Sequence, residues 1–305
     1  MTGVQTCALP ISKINIQLKM VGLRPDGYHS LRTLMQTVSL FDSLSLYAEP
    51  AAFSVSCRCK NDPSADQPVS APSDETNLVV RAARRFNQSA PLNYALTFEL
   101  TKRIPVGAGL GGGSSDAAGA IRLLQALTNA TDSTAASIAR DVGCDVPFFL
   151  KGGGRWMIGR GDEPAASEPP PAQVFVIIYP GFSVSTPAVY SKYDSLTDNE
   201  RFNNFGIMIK NYPDVWAMGA DNDLFPAAIA VEPRLRVIAR KIIELSASDS
   251  PAQMSMSGSG SSFFVSYRDK KKAERLADAC RSLSPDARAY VCEPVVAPPA
   301  IRQSK

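Results

Sequence analysis

The fold is decided by Arg103–Gly119, "RIPVGAGLGGGSSDAAG", which holds six glycines and two serines. Before it, "YALTFELTK" (94–102) alternates apolar and polar residues, the period of a strand. After it, "SSDAAGAIRLLQALTNA" (114–130) carries the apolar spacing of a helix. A glycine-rich loop between a strand and a helix is an anion site. Its glycines let backbone N–H groups close on a ligand, and the helix start adds unpaired donors and the positive end of a dipole. The candidate phosphate loop is therefore Pro105, Val106, Gly107, Ala108, Gly109, Leu110, Gly111, Gly112, Gly113, Ser114 and Ser115. Ser114 and Ser115 bring hydroxyls suited to phosphate oxygens or Mg²⁺, and with Asp116 they stand where helix-capping residues belong. The stretch lacks the Gly-Lys-Ser/Thr ending of a Walker A loop, and no first βαβ unit precedes it, so it is not a dinucleotide fingerprint.

Working outward, "KINIQLKM" (13–20) reads as a strand and "GLRPDGYHSL" (22–31) as a turn-rich loop. Further strands are expected in 33–48 and 52–59, a loop in 61–73, and a helix in "ETNLVVRAARRFNQ" (75–88), where Leu78, Val79, Ala82 and Phe86 recur at helical spacing. "TAASIARDVG" (134–143) is a helix stopped by Gly143, "CDVPFFL" (144–150) a turn, and "GGGRWMIGRG" (152–161) a strand. "DEPAASEPPPAQ" (162–173) is the linker candidate. A buried-type strand follows in "VFVIIYPG" (174–181), then helical patterns from Thr186 to Leu245 broken at Pro213 and Pro233. "MSMSGSGSSFFVSY" (254–267) is a strand, glycine loop and strand, "DKKKAERLADACRSL" (269–283) a helix and "ARAYVCEPVV" (287–296) a last strand. No internal repeat is visible. The expected class is α+β with two lobes, 12–162 and 163–305.

Bulk properties exclude several classes. Apolar residues make up 45% and charged residues 20%, the composition of a globular protein, and a net charge of +3 gives no reason to expect nucleic acid. Lys270, Lys271 and Lys272 read as a solvated helix face. No apolar run approaches the roughly 18 residues of a membrane helix. The six cysteines, Cys7, Cys57, Cys59, Cys144, Cys280 and Cys292, form no CxxC pair, and free thiols in a reducing, cytoplasmic compartment are expected. His29 is the single histidine, so multi-histidine metal sites are excluded. Residues 1–11, "MTGVQTCALPI", have no basic n-region and no adequate apolar stretch for a secretory signal. They match the translation of a sequencing-adapter string. They are expected to be an assembly artefact and are set aside in reading the fold, with native sequence starting at about Ser12.

"PVGAGLGGGSSDAA" resembles the phosphate loop of the galactokinase, homoserine kinase, mevalonate kinase and phosphomevalonate kinase (GHMP) superfamily. Its other two motifs are matched in order by "KINIQL" and "MSGSGSSFF". Within the superfamily the chain is most similar to the 4-diphosphocytidyl-2-C-methyl-D-erythritol kinase family. The resemblance is carried by "KINIQLKMVGLRPDGYHSLRT", "ETNLVVRAA", "CDVPFFLKGGG" and "YPGFSVSTPAVY", and it runs from Lys13 to the final strand. It implies an N-terminal ATP-binding lobe, a C-terminal ferredoxin-like lobe and a cleft between them. The implied reaction is ATP-dependent, Mg²⁺-assisted phosphorylation of the CDP-methylerythritol 2-hydroxyl, a step of non-mevalonate isoprenoid precursor synthesis.

The resemblance also assigns residues. Asp145 matches the catalytic aspartate, although spacing alone reads it as a turn or helix cap. Lys13 matches the lysine beside it, and Asn15, one pleat repeat on, shares its side of the strand near the substrate. Tyr28 and His29 match residues that stack on and hydrogen-bond to the cytosine, and Tyr190 an aromatic across the base. Thr186, Gly258, Ser259 and Gly260 are implied on the substrate side, Asn77 and Lys102 near the adenine. Asn77 and Lys102 also read simply as a helix-start residue and an exposed strand-end lysine, Tyr190 as a half-buried helix aromatic, and Gly258–Gly260 as an ordinary hairpin. No residue is assigned as a metal ligand, and the oligomeric state is left open. Two rivals stand beside this reading: another GHMP kinase of homoserine or mevalonate type, and a nucleotide-binding regulator without catalysis.

Overall fold

In the computed structural model, residues 4–60, 62, 71–169, 171, 173–196 and 221–303 are described. Strands β1 (Val4–Ala8), β2 (Ile11–Leu23), β3 (His29–Phe41), β4 (Ser43–Pro50) and β5 (Ser54–Lys60) open the chain. Helix α1 (Leu78–Ser89) then crosses to β6 (Tyr94–Thr101), which pairs parallel with β5 and antiparallel with β4. A parallel pair needs such a crossover, and α1 supplies it. Helices α2 (Gly112–Thr128), α3 (Asp132–Val142) and α4 (Val146–Lys151) follow. The apolar faces of α1 to α4 meet the sheet through Phe86, Phe98, Leu124, Ile138 and Phe148.

A second sheet is built from β2, β3, β7 (Gly154–Ile158) and β8 (Glu163–Glu168), in that order. The rest of the chain adds β9 (Val174–Tyr179), α5 (Thr186–Ser195), α6 (Phe225–Val231), α7 (Arg234–Ser246), β10 (Gln253–Met256), β11 (Phe263–Tyr267), α8 (Lys270–Cys280) and β12 (Arg288–Cys292). Its sheet runs β10-β11-β9-β12 and is wholly antiparallel. Its core joins Val176 and Val265 to Leu235, Ile242 and Leu276. A third apolar cluster joins the two halves: Ile14, Val38, Ile104 and Leu110 pack against Phe175, Ile177 and Phe264.

Several expectations are corrected. The "GLRPDGYHSL" loop is a tight hairpin end: β2 runs to Leu23, β3 starts at His29, and the Arg24 N–H donates to Tyr28 O at 2.8 Å. His29 therefore sits on a strand. "CDVPFFL" is not only a turn, since Val146 opens α4 with Asp145 at its N-cap. The linker candidate contains β8, paired along β7 from Gly154↔Glu168 to Ile158↔Glu163. All six of its residues are exposed, so it carries no apolar alternation to betray it, and its proline is tolerated on an edge strand. A boundary at 162/163 thus cuts through a hairpin. Beyond β12 the chain also returns to the first half. The Val295 N–H donates to Thr37 O at 2.8 Å, and β13 (Arg302–Gln303) pairs with β1.

Residues 4–8 form a strand of the first sheet. β1 sits between β13 and β4, with Thr6 and Ala8 buried, because any β-competent alternation can fill that ladder. Pro213 lies outside the described residues, whereas Pro233 does end a helix-free corner, as the N-cap of α7. The six cysteines are free, and among the described residues no helix is long and apolar enough to cross a membrane.

Candidate active site

Three segments converge on one cleft of about 740 Å³. The phosphate loop leaves β6 and turns through Gly107, Gly109 and Gly111, all at positive φ (66°, 77° and 71°). Gly111 is the N-cap of α2, so the helix begins at Gly112, and the Ser115 N–H donates to Gly111 O at 2.9 Å. Ser114, Ser115 and Asp116 are therefore inside the helix rather than capping it. A left-handed glycine turns the chain into the helix without needing a side-chain cap. The backbone is closely approached from below. A Cβ on Gly111 would stand 2.7 Å from Phe149 Cζ and 3.1 Å from Lys13 Cγ.

The second segment is β2. The Lys13 N–H donates to Leu110 O at 3.1 Å, tying the strand to the phosphate loop. Lys13, 3% exposed, donates from Nζ to Asn15 Oδ1 at 2.5 Å and lies 3.6 Å from Asp145 Oδ2. Asn15 Nδ2 donates in turn to Thr33 Oγ1 (2.8 Å), whose hydroxyl donates to Gln17 O (2.6 Å). Burial removes the rotamer freedom a lysine has on a surface, and the amide fixes the direction of its ammonium. Asp145 is partly open to the cleft, and its carboxylate makes no hydrogen bond to the α4 amides. An aspartate at an N-cap that does not cap is free to work on something else.

The third segment is the turn after β10. Ser257 Oγ donates to Gly109 O at 2.9 Å and accepts the Asn15 N–H at 3.3 Å, and the Ser262 N–H donates to Ala108 O at 3.0 Å. A Cβ on Gly258 would meet Gly109 O at 3.3 Å and Lys13 Nζ at 3.5 Å. Thr186 Oγ1 and Ser259 Oγ are 2.7 Å apart at the start of α5. Gly260 closes the same turn at φ +90°.

The far end of the cleft is aromatic. The His29 ring is 5.5 Å from that of Tyr190 and 5.9 Å from that of Tyr193, and its Nε2 lies 2.7 Å from Asp194 Oδ1. Tyr28 is 54% exposed, with Arg160 lying over its ring at 5.2 Å. Burial raises the Tyr190 phenol above its ordinary range, with Asp145 adding to the effect, so it stays neutral. An exposed tyrosine face, a hydrogen-bonded imidazole and a half-buried aromatic form a slot suited to a flat heterocycle.

Not every expected residue presents its side chain. Ser115 is buried, and its Oγ accepts the Ile11 N–H at 2.6 Å. Asn77 caps α1, accepting the Val79 N–H at 2.8 Å and donating to Pro72 O at 2.5 Å. Lys102 is 1% exposed, between Asp42 and Asp116 (2.8 Å to the latter), so the alternative reading as an exposed lysine is corrected too. Lys102 and Asn77 line the cleft, yet their polar atoms already serve the protein. Sequence reasoning missed Thr33, Ser257 and Asp194. The last was legible, four residues beyond Tyr190 and hence on the same helix face. Thr33 reaches Asn15 only through strand register, which no local pattern reveals.

The loop fits a polyphosphate: five of its residues are glycines, and they line the cleft where α2 begins. Among the described residues there is no group of three or more His, Cys, Asp or Glu that could hold a metal ion, so a divalent ion would rely on nucleotide oxygens and a hydroxyl such as that of Ser114. Gly109→Ala tests the loop. Its Cβ would collide with Ser257 O, and the left-handed backbone costs a further 1–2 kcal/mol or so. ATP affinity is expected to fall about tenfold or more in a calorimetric titration, and unchanged affinity would remove this loop from the nucleotide site.

Comparisons with known proteins place the chain among kinases. The family model described as GHMP kinases N terminal domain matches residues 77–153, and that described as GHMP kinases C terminal matches 196–286. A 4-diphosphocytidyl-2-C-methyl-D-erythritol kinase of Solibacter usitatus (strain Ellin6076) is 37% identical over 268 residues, covering 85% of this chain and 80% of the relative. The crystal structure of a 4-(cytidine 5'-diphospho)-2C-methyl-D-erythritol kinase superposes with a TM-score of 0.70 at 30% identity, covering 94% of this chain and 99% of the other. A homoserine kinase from Cytophaga hutchinsonii ATCC 33406 reaches a TM-score of 0.67 over 100% of this chain and 98% of its own, but at 18% identity it shares the fold alone.

Proposed function

Because the chain belongs to the 4-diphosphocytidyl-2-C-methyl-D-erythritol kinase family of the GHMP kinases, we propose that it transfers the γ-phosphoryl group of ATP to the 2-hydroxyl of the CDP-linked methylerythritol. The observation that carries this is the Lys13–Asp145 pair, 3.6 Å apart, set between the phosphate loop and the aromatic slot of one cleft. The slot formed by Tyr28, His29 and Tyr190 receives the cytosine, with Asp194 orienting the imidazole. The amides of Gly107–Ser114 receive the phosphates of ATP, and Asn77 and Lys102 shape the adenine end from behind. The acceptor hydroxyl then lies against Asp145.

Asp145 takes the hydroxyl proton as the new oxygen–phosphorus bond forms and the bond between the γ-phosphorus and the β–γ bridging oxygen breaks, releasing ADP. Lys13, 3.6 Å from Asp145, faces the charge that grows on the transferred oxygens. Asn15 and Thr33 hold the ammonium in that direction. Mg²⁺ bound with ATP supplies charge neutralisation of its phosphates.

The test is ADP release in a coupled assay. Turnover is expected with the CDP-linked acceptor and not with homoserine or mevalonate. Turnover of either of the latter instead would transfer the site to another GHMP activity, and nucleotide binding with no ADP release would leave a regulator.

A further inference from the structure

The phosphate loop, β2 and the Ser257–Gly260 turn come from distant parts of the chain, and something must hold the third against the other two. Asn222 is buried, 3% exposed, between β10, β2 and α6. Its Nδ2 donates to Met256 O at 2.7 Å and to Gly258 O at 2.8 Å, and its Oδ1 accepts the Leu224 N–H at 3.0 Å. The two carbonyls it grips flank Ser257. Ser257 in turn donates to Gly109 O of the phosphate loop and accepts the Asn15 N–H of β2. Asn222 is itself pinned to β2: the Leu18 N–H donates to Asp221 O (2.6 Å) and the Asp223 N–H to Leu18 O (3.0 Å). Asp223 accepts Lys19 Nζ at 2.9 Å and the Met20 N–H at 2.9 Å, while Asp221 accepts Gln17 and Gln253.

We infer that Asn222 is a positioning residue for phosphoryl transfer, setting the distance between the phosphate loop and the Lys13–Asn15 pair by holding Ser257 from both sides. Only an amide side chain suits the place. It must donate twice to backbone carbonyls and accept once, and it must carry no charge where burial would penalise one. Alanine removes the shared donor from both carbonyls and the acceptor from the Leu224 amide, and aspartate sets an oxygen against two oxygens. The consequence is geometric. A turn that relaxes by about 1 Å displaces the surface against which Lys13 and Asn15 pack, and misplacement of that size costs about 10²-fold in rate. This rests on the role proposed above for Lys13.

The experiment compares the parent, Asn222→Ala, Asn222→Asp, Ser257→Ala and the Asn222→Ala/Ser257→Ala double variant, each with its unfolding midpoint measured. kcat is expected to fall about 10²-fold in Asn222→Ala, with a much smaller change in KM for the acceptor. The double variant should be no slower than the slower single one, because both act through the same link. Asn222→Asp keeps the shape and the bond to Leu224, so it carries the kinetic test if the alanine variant does not fold. Hydrogen exchange of peptides covering 256–262 should speed up in either Asn222 variant. A kcat within about twofold of the parent, losses that multiply in the double variant, or unchanged exchange would each overturn the inference. The exchange measurement needs no acceptor. A parent inactive on the CDP-linked acceptor would therefore sink the functional reading, while exchange alone would decide the hold of Asn222.

Discussion

Asp145→Asn is expected to lower kcat by about 10²–10⁴-fold while leaving ATP binding and the unfolding midpoint nearly unchanged. The change keeps shape and hydrogen-bonding reach but removes the ability to take a proton. It should spare stability because the Asp145 side chain makes no cap bond to α4. Its partner Lys13 is held by Asn15 independently at 2.5 Å, so the ammonium should not wander when the carboxylate is neutralised. A loss confined to KM would instead make Asp145 a binding group. Survival of kcat within a few-fold would return it to the turn-forming role that its spacing alone suggests. The comparison with Lys13→Met is informative. If the lysine serves the carboxylate, the double variant should be little worse than Asp145→Asn alone, the non-additivity of residues that act as a unit.

The parts of this site that the sequence disclosed are those with a local grammar. "GAGLGGGSSDAAG" declares a strand-to-helix phosphate loop, and "SGSG" declares a second close backbone approach. The loop that precedes His29 and the TPAVY helix are singled out by their resemblance to a family, not by a pattern of spacing. What stayed hidden depends on register and burial. Nothing in "DEPAASEPPP" distinguishes an exposed edge strand from a linker, because the distinction is made by the partner strand β7. Nothing in "ELTKRIP" says that Lys102 faces inward, because the two carboxylates that receive it are 60 residues before and 14 residues after it. Asn222 was invisible for the same reason: its ligands are the backbone carbonyls of Met256 and Gly258, and backbone carbonyls leave no mark in a sequence.

Lys102→Met should be the most destabilising of the substitutions considered, by about 3–5 kcal/mol. Lys102, Asp42 and Asp116 are all nearly fully buried, so one ammonium serves two carboxylates. Asp42 is the better supported of the pair, since its Oδ1 also accepts the Arg103 N–H (2.6 Å) and the Ile104 N–H (3.0 Å). Asp116 has a buried Oδ1 with no hydrogen-bond partner, and burial pushes its carboxyl up to about 8 in spite of Lys102. The sign of the pH effect follows. Between the ordinary carboxylate range and about pH 8, folded Asp116 retains a proton that the unfolded chain has released. Its contribution to stability is therefore complete in acid and is lost as pH rises through about 8. Urea unfolding of the parent at pH 6 and pH 9 should show this decline, and Asp116→Asn should flatten it. Lys102→Met removes the one charge that opposes the rise, so its deficit against the parent should be larger at pH 9 than at pH 6. The loss should also reach the nucleotide site. The three residues tie the β3–β4 turn, the end of β6 and the first turns of α2 into one block beneath the phosphate loop. A Lys102→Met protein that kept the parent's stability at both pH values would show that the ammonium is not what holds this block, and would return Lys102 to direct nucleotide contact.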